Sequence, residues 1–162
     1  MIKYDLLVIG FGKAGKTLAA TFGNEGKKVA VVEESSEMYG GTCINIGCIP
    51  TKTLIVAADN KKDFKEAKAT RDTVVSKLNA KNFAMLDNNP NIDVYTASAK
   101  FVSNKVVEIS VNGETKQLEG DIVVINTGAK NNVLPIPGLT TSKNVYDSTQ
   151  FQKLESTPKT LG

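Results

Sequence analysis

The stretch "YDLLVIGFGKAGKTLAATFGNEGKKVAVVEE", residues 4 to 34, decides the fold. Its first part, residues 4 to 10, is mostly apolar and ends in glycine, which predicts a buried parallel strand. Residues 13 to 26 follow with apolar side chains at helical spacing and with glycines that mark a helix end. Residues 27 to 34 form a second apolar run. The stretch therefore predicts a strand–helix–strand unit with parallel strands.

Three glycines, Gly10, Gly12 and Gly15, occupy the turn between the first strand and the helix in the pattern G-x-G-x-x-G. The first permits a tight turn, the second lets a pyrophosphate approach the backbone, and the third lets the helix pack close to the strand. Phosphates would then lie on free N–H groups at the helix N-terminus. The alternative is that these glycines only turn the chain.

Glu33, at the end of the second predicted strand, is the predicted partner of an adenosine ribose. A carboxylate at this place accepts hydrogen bonds from ribose hydroxyls and repels a 2′-phosphate. Glu34 is the adjacent competitor for that role. These residues predict a dinucleotide site and leave NAD and FAD both open.

The rest of the chain predicts two more helices and a β-rich part. One helix is expected from Pro50 to residue 58, and a longer one over 61–86 with one apolar face formed by Phe64, Ala67, Val74, Leu78 and Met85. Residues 92–128 contain short β-rich pieces, with "ETKQLEG" and "DIVVINTG" as separate pieces. The predicted fold class is α/β: a Rossmann-like βαβ domain with a parallel sheet and a small β-meander.

Composition excludes several classes of function. The net charge of +3 comes almost entirely from lysine, since Arg71 is the only arginine, and no nucleic-acid partner is expected. The lysine run at 61–68 is typical of a solvated helix face. The N-terminus does not resemble a signal peptide and no segment has the length of a membrane span, so we expect a cytoplasmic protein without a membrane partner.

The two cysteines, Cys43 and Cys48, are the only thiols, and four roles are open to them. A structural disulfide is uncommon in the cytoplasm. A zinc site needs about four ligands, and the chain has two cysteines and no histidine, so no metal site is expected. A reactive pair and two inert buried residues remain as alternatives.

Geometry restricts how the two cysteines could form a bridge. Residues five apart on a regular helix have Cα atoms about 8.6 Å apart, whereas a disulfide tolerates roughly 7 Å at most. A bridge therefore requires a distorted segment, which Gly47 permits, and Pro50 suits the first turn of the next helix. Cys48 would then lie near a helix N-terminus, where the dipole lowers a thiol pKa, and Lys52 could add positive charge.

The segment "GGTCINIGCIPTK", residues 40 to 52, together with "GFGKAG" and "VVEE", closely resembles the pyridine nucleotide-disulfide oxidoreductases. These FAD enzymes include glutathione reductase, lipoamide dehydrogenase and mercuric reductase. "INTGAK", residues 125 to 130, resembles the A-T-G segment of the family with Asn126 in place of its usual alanine. The resemblance covers essentially the whole chain. Within the family, it is greatest to bacterial enzymes that protect against reactive chlorine species and reduce hypothiocyanous acid.

The resemblance implies FAD as the dinucleotide and assigns a role to each matching residue. Cys48 would face the flavin as the charge-transfer thiol, and Cys43 would be the interchange thiol that attacks substrate. NAD(P)H would reduce FAD, and the disulfide would then carry the electrons to an oxidised small molecule or a disulfide substrate. The implied cofactor contacts are Gly10, Gly12 and Gly15 at the pyrophosphate, Glu33 at the ribose, Gly41 and Thr42 along the phosphates, Lys52 near the isoalloxazine, Ala99 at the adenine, and Thr127 and Gly128 closing the site.

The resemblance also implies a domain division. Residues 1–158 correspond to the first segment of an FAD-binding domain, with its β-rich part at about 92–128, and residues 159–162 to the start of a linker into an NAD(P)-binding domain. Family enzymes are homodimers with a late His-Glu pair, so we expect this chain to be an N-terminal fragment that is inactive alone and binds FAD weakly or not at all. Lipoamide dehydrogenase, a mercuric or glutathione-type reductase, and a non-catalytic dinucleotide-binding module remain alternatives.

Overall fold

The computed structural model describes all 162 residues. It contains one mixed six-stranded sheet and five helices. The strands are β1 (Ile2–Ile9), β2 (Val29–Glu33), β3 (Ile92–Thr96), β4 (Ala99–Ser103), β5 (Val106–Val111) and β6 (Glu114–Ile125). The helices are α1 (Lys13–Asn24), α2 (Thr42–Asn45), α3 (Cys48–Asp59), α4 (Phe64–Asp87) and α5 (Ser148–Phe151), with a short 3-10 turn at Ser36–Met38.

The strand order is β3-β2-β1-β6-β5-β4. Strands β3, β2, β1 and β6 run parallel to their neighbours, whereas β5 and β4 continue the sheet as antiparallel strands. The predicted βαβ unit is β1–α1–β2, and the predicted meander is β4–β5–β6. The α/β fold class is therefore confirmed.

The central strands carry apolar side chains on both faces because both faces are covered. One core cluster joins alternate residues of β1 and β2 to α1 and α4; it includes Leu6, Val8, Val29, Val31, Ala19 and Leu86. The other joins the intervening residues to the antiparallel strands; it includes Leu7, Ile9, Ala30, Val32, Val107, Ile109 and Leu118. The carboxyl ends of β1, β2 and β6 thus form one rigid edge.

The prediction of two separate pieces around residue 120 was wrong. β6 is one continuous strand, and Gly120 within it lies against β1, where a Cβ atom would come 2.7 Å from the Leu7 Cβ atom. The glycine therefore marks a close approach of two strands rather than the end of a strand.

Helix α4 differs from its prediction in two respects. It begins at Phe64, three residues later than predicted, because the Asp63 carboxylate caps it by accepting a hydrogen bond from the Glu66 N–H at 2.8 Å. Met85 is 47% exposed and Leu86 is fully buried in its place. The buried face is also more polar than predicted, since it includes Arg71 and Asn82. No helix in the structure is both long and apolar enough to cross a membrane.

Candidate dinucleotide site and cysteine pair

Gly10 ends β1 with a backbone conformation that other residues rarely adopt. Its φ is +100°, and a Cβ atom there would lie 2.3 Å from the Asn126 carbonyl oxygen. Gly12 is the N-cap of α1 and leaves the first N–H groups of that helix free. Gly15 allows α1 to approach β1, because a Cβ atom there would lie 2.6 Å from a Val8 methyl group. Gly10 and Gly15 therefore have the structural roles that the pattern predicts, and the approach of a pyrophosphate to Gly12 stays a prediction.

The Asn126 side chain, which directly follows β6, holds the glycine-rich loop (residues 10–15) in place. Its Nδ2 group donates hydrogen bonds to the carbonyl oxygens of Gly10 and Gly12, each at 3.1 Å. The same group fills the space where a Gly15 side chain would lie, 2.6 Å from the Cβ position. Sequence reasoning noted Asn126 only as a departure from alanine and missed this contact. The pairing of Ile9 with Ile125 places the residues after both strands side by side.

Replacing Asn126 by alanine should lower the free energy of unfolding by about 2 kcal/mol, because two half-buried carbonyls lose their donor. Asn126→Asp should cost at least as much, since a carboxylate of the same size would face two carbonyl oxygens. Urea denaturation of the purified chain measures both effects. Asn131→Ala serves as the control, because the exposed Asn131 makes only a 3.4 Å contact with Asp147. Equal stability of the Asn126 and Asn131 variants would contradict the assigned role.

Glu33 is held against the glycine-rich loop, and Glu34 is not. One Glu33 carboxylate oxygen accepts a hydrogen bond from the Phe11 N–H at 2.8 Å, and the other accepts one from the Ser35 N–H at 3.2 Å. Each oxygen keeps a further lone pair for a hydroxyl donor. Glu34 is exposed, and its carboxylate lies 3.5 Å from the Ser98 hydroxyl. The geometry therefore favours Glu33 of the two candidates.

The start of α1 is electropositive. Lys13 is its first residue, Lys16 lies within its first turn, and no acidic residue occurs there. The Lys16 ammonium donates a hydrogen bond to the Asn82 side chain of α4. Burial lowers the pKa of Lys16, and the charge of Lys13 adds to that effect. Together with the helix dipole these lysines make the loop attractive to an anion. Sequence reasoning did not identify either lysine.

A second glycine turn lies directly on the first. Gly41 has φ +78°, and a Cβ atom there would lie 2.7 Å from the Gly12 Cα atom. It is the N-cap of α2, which begins at Thr42. The N-termini of α1 and α2 therefore lie next to each other, since their N-cap residues Gly12 and Gly41 are in contact.

The buried Asn45 side chain, between the two cysteines in sequence, fixes this second turn. Its Nδ2 group donates to the carbonyl oxygens of Tyr39 and Gly41, both at 2.9 Å. Its Oδ1 atom accepts a hydrogen bond from Asn79 of α4 at 3.0 Å. Sequence reasoning missed Asn45 and Asn79, and the contact between them depends on how α4 packs.

The cysteine segment is two helices and not one. α2 ends at Asn45, Ile46 and Gly47 interrupt the helix, and α3 begins at Cys48. Gly47 has ψ −109°, and a Cβ atom there would lie 3.0 Å from the Thr42 carbonyl oxygen. The predicted distortion at Gly47 is confirmed, and Cys48 is the first residue of its helix. Pro50 lies within that first turn, where its missing N–H costs nothing.

Both thiols are free, and they interact with each other. Cys43 is half-buried and Cys48 is exposed. A side-chain hydrogen bond to Cys48 raises the pKa of the Cys43 thiol, and desolvation raises it further. The Cys48 backbone N–H and the charge of Lys13 act in the opposite direction. The Cys48 side chain therefore lies close enough to Cys43 to affect its thiol.

The remaining predicted site residues differ in how close they lie to the loop. Thr127 and the exposed Gly128 follow β6, and the Thr127 Cα atom lies 3.0 Å from where a Gly10 Cβ would be. Ala99 is the first residue of β4, shortly after Ala97, whose N–H donates to the Glu33 carbonyl at 2.8 Å. Lys52 is exposed and borders an open cavity of about 280 Å³ between α3 and the start of α4. Of these residues only Thr127 lies directly against Gly10, and the roles of Gly128, Ala99 and Lys52 at a cofactor stay predictions.

A family model described as pyridine nucleotide-disulphide oxidoreductase matches residues 4–161. The chain belongs to this family. The resemblance predicted from the cysteine segment is confirmed.

Among curated members of this oxidoreductase family, the probable pyridine nucleotide-disulfide oxidoreductase RclA of Escherichia coli K12 is 48% identical over 162 residues, which is all of this chain and 37% of the relative. A dihydrolipoyl dehydrogenase of Thermus scotoductus is 34% identical over 99% of this chain and 37% of its own length. A mercuric reductase of Staphylococcus aureus is 30% identical over 98% of this chain and 31% of its own length. The chain therefore spans about a third of the length of these relatives.

Solved structures agree with the family assignment. The HOCl-induced flavoprotein disulfide reductase RclA from Escherichia coli, in its Cu(II) complex, matches 96% of this chain and 35% of that chain with a TM-score of 0.92 at 48% identity. A second RclA structure matches with a TM-score of 0.89. The family and the Rossmann-like fold of this oxidoreductase segment are thus established by both sequence and structure.

Proposed function

We propose that this chain is the segment of a flavin-dependent disulfide oxidoreductase that binds FAD and carries its redox-active cysteine pair. One observation carries the proposal: the Gly41 turn packs directly on the Gly12 turn. A Cβ atom at Gly41 would lie only 2.7 Å from the Gly12 Cα atom. A dinucleotide bound at the N-terminus of α1 therefore lies beside the segment that contains Cys43 and Cys48. An alanine at Gly41 would collide with the Gly12 backbone, and one at Gly12 would collide with the Asn126 side chain, so both turns require glycine.

Each proposed cofactor contact follows from a feature of this chain. Glu33 offers carboxylate lone pairs to the ribose, and the electropositive start of α1 suits the pyrophosphate. FAD, when bound, supplies a carrier that accepts a hydride and passes two electrons on. The proposed contacts are Gly10, Gly12, Gly15, Glu33, Gly41, Thr42, Lys52, Ala99, Thr127 and Gly128.

The cysteines would move electrons by thiol–disulfide exchange. After a two-electron reduction of the Cys43–Cys48 disulfide, the Cys43 thiolate attacks one sulfur of a disulfide substrate and releases the other as a thiol. The Cys48 thiolate then attacks Cys43, which reforms the intrachain disulfide and releases the second thiol. The protons on the two enzyme thiols pass to the two product thiols. The Cys48 side chain and burial raise the pKa of the Cys43 thiol, which disfavours the attacking thiolate.

The identity of the substrate is proposed from the RclA relatives. The solved E. coli protein, 48% identical, is an HOCl-induced flavoprotein disulfide reductase, which supports a small oxidant of the hypohalous-acid type, such as hypothiocyanous acid, as the substrate of the whole protein. NAD(P)H as the donor, a homodimer, a cytoplasmic location and the domain limits 1–158 and 159–162 belong to the same proposal. The dihydrolipoyl dehydrogenase and mercuric reductase relatives leave those activities as alternatives.

A titration of FAD with the purified chain, followed by flavin fluorescence, tests the cofactor. We expect weak but saturable binding that Glu33→Gln weakens about tenfold, because the amide no longer offers a charged acceptor to the ribose while it still accepts from Phe11. Glu34→Gln is the matched control and should bind as the wild type does. Binding of NAD in preference to FAD would favour a non-catalytic dinucleotide-binding module instead.

A further inference from the structure

The break between the two cysteines leaves several carbonyl groups without a helical partner, and the Ile46 carbonyl is one of them. The Gly47 carbonyl accepts a hydrogen bond from the Thr51 N–H at 3.2 Å and so belongs to α3. The Ile46 carbonyl precedes it, and the residue four positions on is Pro50, which has no N–H to donate. Neither α2 nor α3 therefore supplies a donor to the Ile46 carbonyl, which lies at the hinge between Cys43 and Cys48.

Gln152, which follows α5, supplies that donor from 106 positions along the chain. Its Nε2 group lies 3.4 Å from the Ile46 carbonyl oxygen and 3.2 Å from the Thr51 hydroxyl oxygen. Ile46 lies before the Gly47 break and Thr51 after it. One carboxamide group thus joins the two sides of the hinge, and we call this arrangement of Gln152, Ile46 and Thr51 the hinge clip.

Gln152 is itself held by α4. The guanidinium of Arg71, the only arginine, donates a hydrogen bond to the Gln152 carbonyl oxygen. The Arg71 side chain is only 8% exposed and also contacts the Asp72 carboxylate at 3.1 Å. A second tie, between Lys68 and Glu155 at 3.3 Å, fixes the next part of the same segment. The hinge clip is therefore anchored to a helix and does not depend on a loose tail.

We propose that Gln152 is a positioning residue for the Cys43–Cys48 pair, acting through the hinge clip to keep the two sulfur atoms within bonding reach. The inference rests on the proposed redox role of the pair. A hinge that is held in place loses less conformational freedom when the disulfide closes, so the bond forms more favourably than it would across a loose hinge.

Equilibration of the chain with glutathione redox buffers tests the proposal. When the disulfide forms, the two cysteine thiols lose two electrons and two protons, which reduce one glutathione disulfide to two glutathione molecules. In Gln152→Ala the equilibrium constant for disulfide formation should fall about three- to tenfold. Gln152→Glu should show a similar fall, because a carboxylate of the same size has no hydrogen to donate to the Ile46 carbonyl. Glu155→Gln is the control, since it loosens the same segment without contacting the hinge.

Hydrogen exchange of the reduced chain provides a second measurement that does not involve the disulfide. The amides of residues 47, 48, 49 and 51 should exchange faster in both Gln152 variants than in the wild type or in Glu155→Gln. Gln152 variants that match the wild type in both measurements would overturn the positioning role and leave the proposed function intact. A wild-type chain that forms no intrachain disulfide would instead overturn the proposed redox function.

Discussion

A Gly10→Ala chain is expected to lose most of its folding stability, at a cost of about 4 kcal/mol or more. The alanine would have to adopt φ +100°, and its Cβ atom would lie 2.3 Å from the Asn126 carbonyl oxygen. Backbone at the end of β6 cannot move away freely, because the Asn126 N–H donates to the Ile9 carbonyl at 2.7 Å. Relief of the clash would therefore separate the ends of β1 and β6. Chemical denaturation, with circular dichroism as the probe, measures the loss.

Gly26→Ala is the matched control for this substitution. Gly26 has φ +79°, also in the left-handed region, but no atom lies within 4 Å of its Cβ position. Alanine there should cost only the conformational strain, about 1–2 kcal/mol. The difference between the two variants isolates the clash with the neighbouring strand. Equal losses at Gly10 and Gly26 would show that the close approach of β1 and β6 does not constrain residue 10.

A Cys48→Ser chain is expected to form no intrachain disulfide under oxidising glutathione, whereas the wild type should lose two hydrogens and become resistant to alkylation. Cys43 would then be the only thiol and could form only a mixed disulfide or a link between chains. Mass spectrometry after alkylation distinguishes these products. Because Cys48→Ser has only one cysteine, the wild type provides the test. A wild-type chain whose two thiols both remain open to alkylation would contradict the proposed redox role.

Cys43→Ser serves as the counterpart because it also abolishes the disulfide but retains Cys48. In the flavin-loaded protein, reduction should produce a long-wavelength absorption shoulder that Cys43→Ser keeps and Cys48→Ser loses. That contrast tests which thiol faces the flavin. Retention of the shoulder in Cys48→Ser would reverse the proposed roles of the two cysteines.

The local features of the site were predictable from sequence. Gly10 and Gly47 were identified correctly because a turn conformation depends mainly on the residue that adopts it and its immediate neighbours. The strand–helix–strand unit was found from periodicity, with boundaries within a few residues. Gly120 was misjudged because a close approach of two strands depends on neighbours in space, whereas the Asp63 cap, three residues before Glu66, was a local signal that the prediction overlooked.

By itself, then, the sequence determined the family, the fold class, the glycine turns and the break between the cysteines, since each depends on a short stretch of chain. The contact of Glu33 with the loop agrees with the prediction of Glu33 over Glu34, whereas the tertiary structure alone decided that Asn126 holds Gly10 and Gly12 and that Gln152 spans the hinge at Ile46. The last two contacts join residues more than 100 positions apart. Their donors find their acceptors only because β6 lies beside β1 and α4 holds the segment after α5, and no local pattern encodes those arrangements.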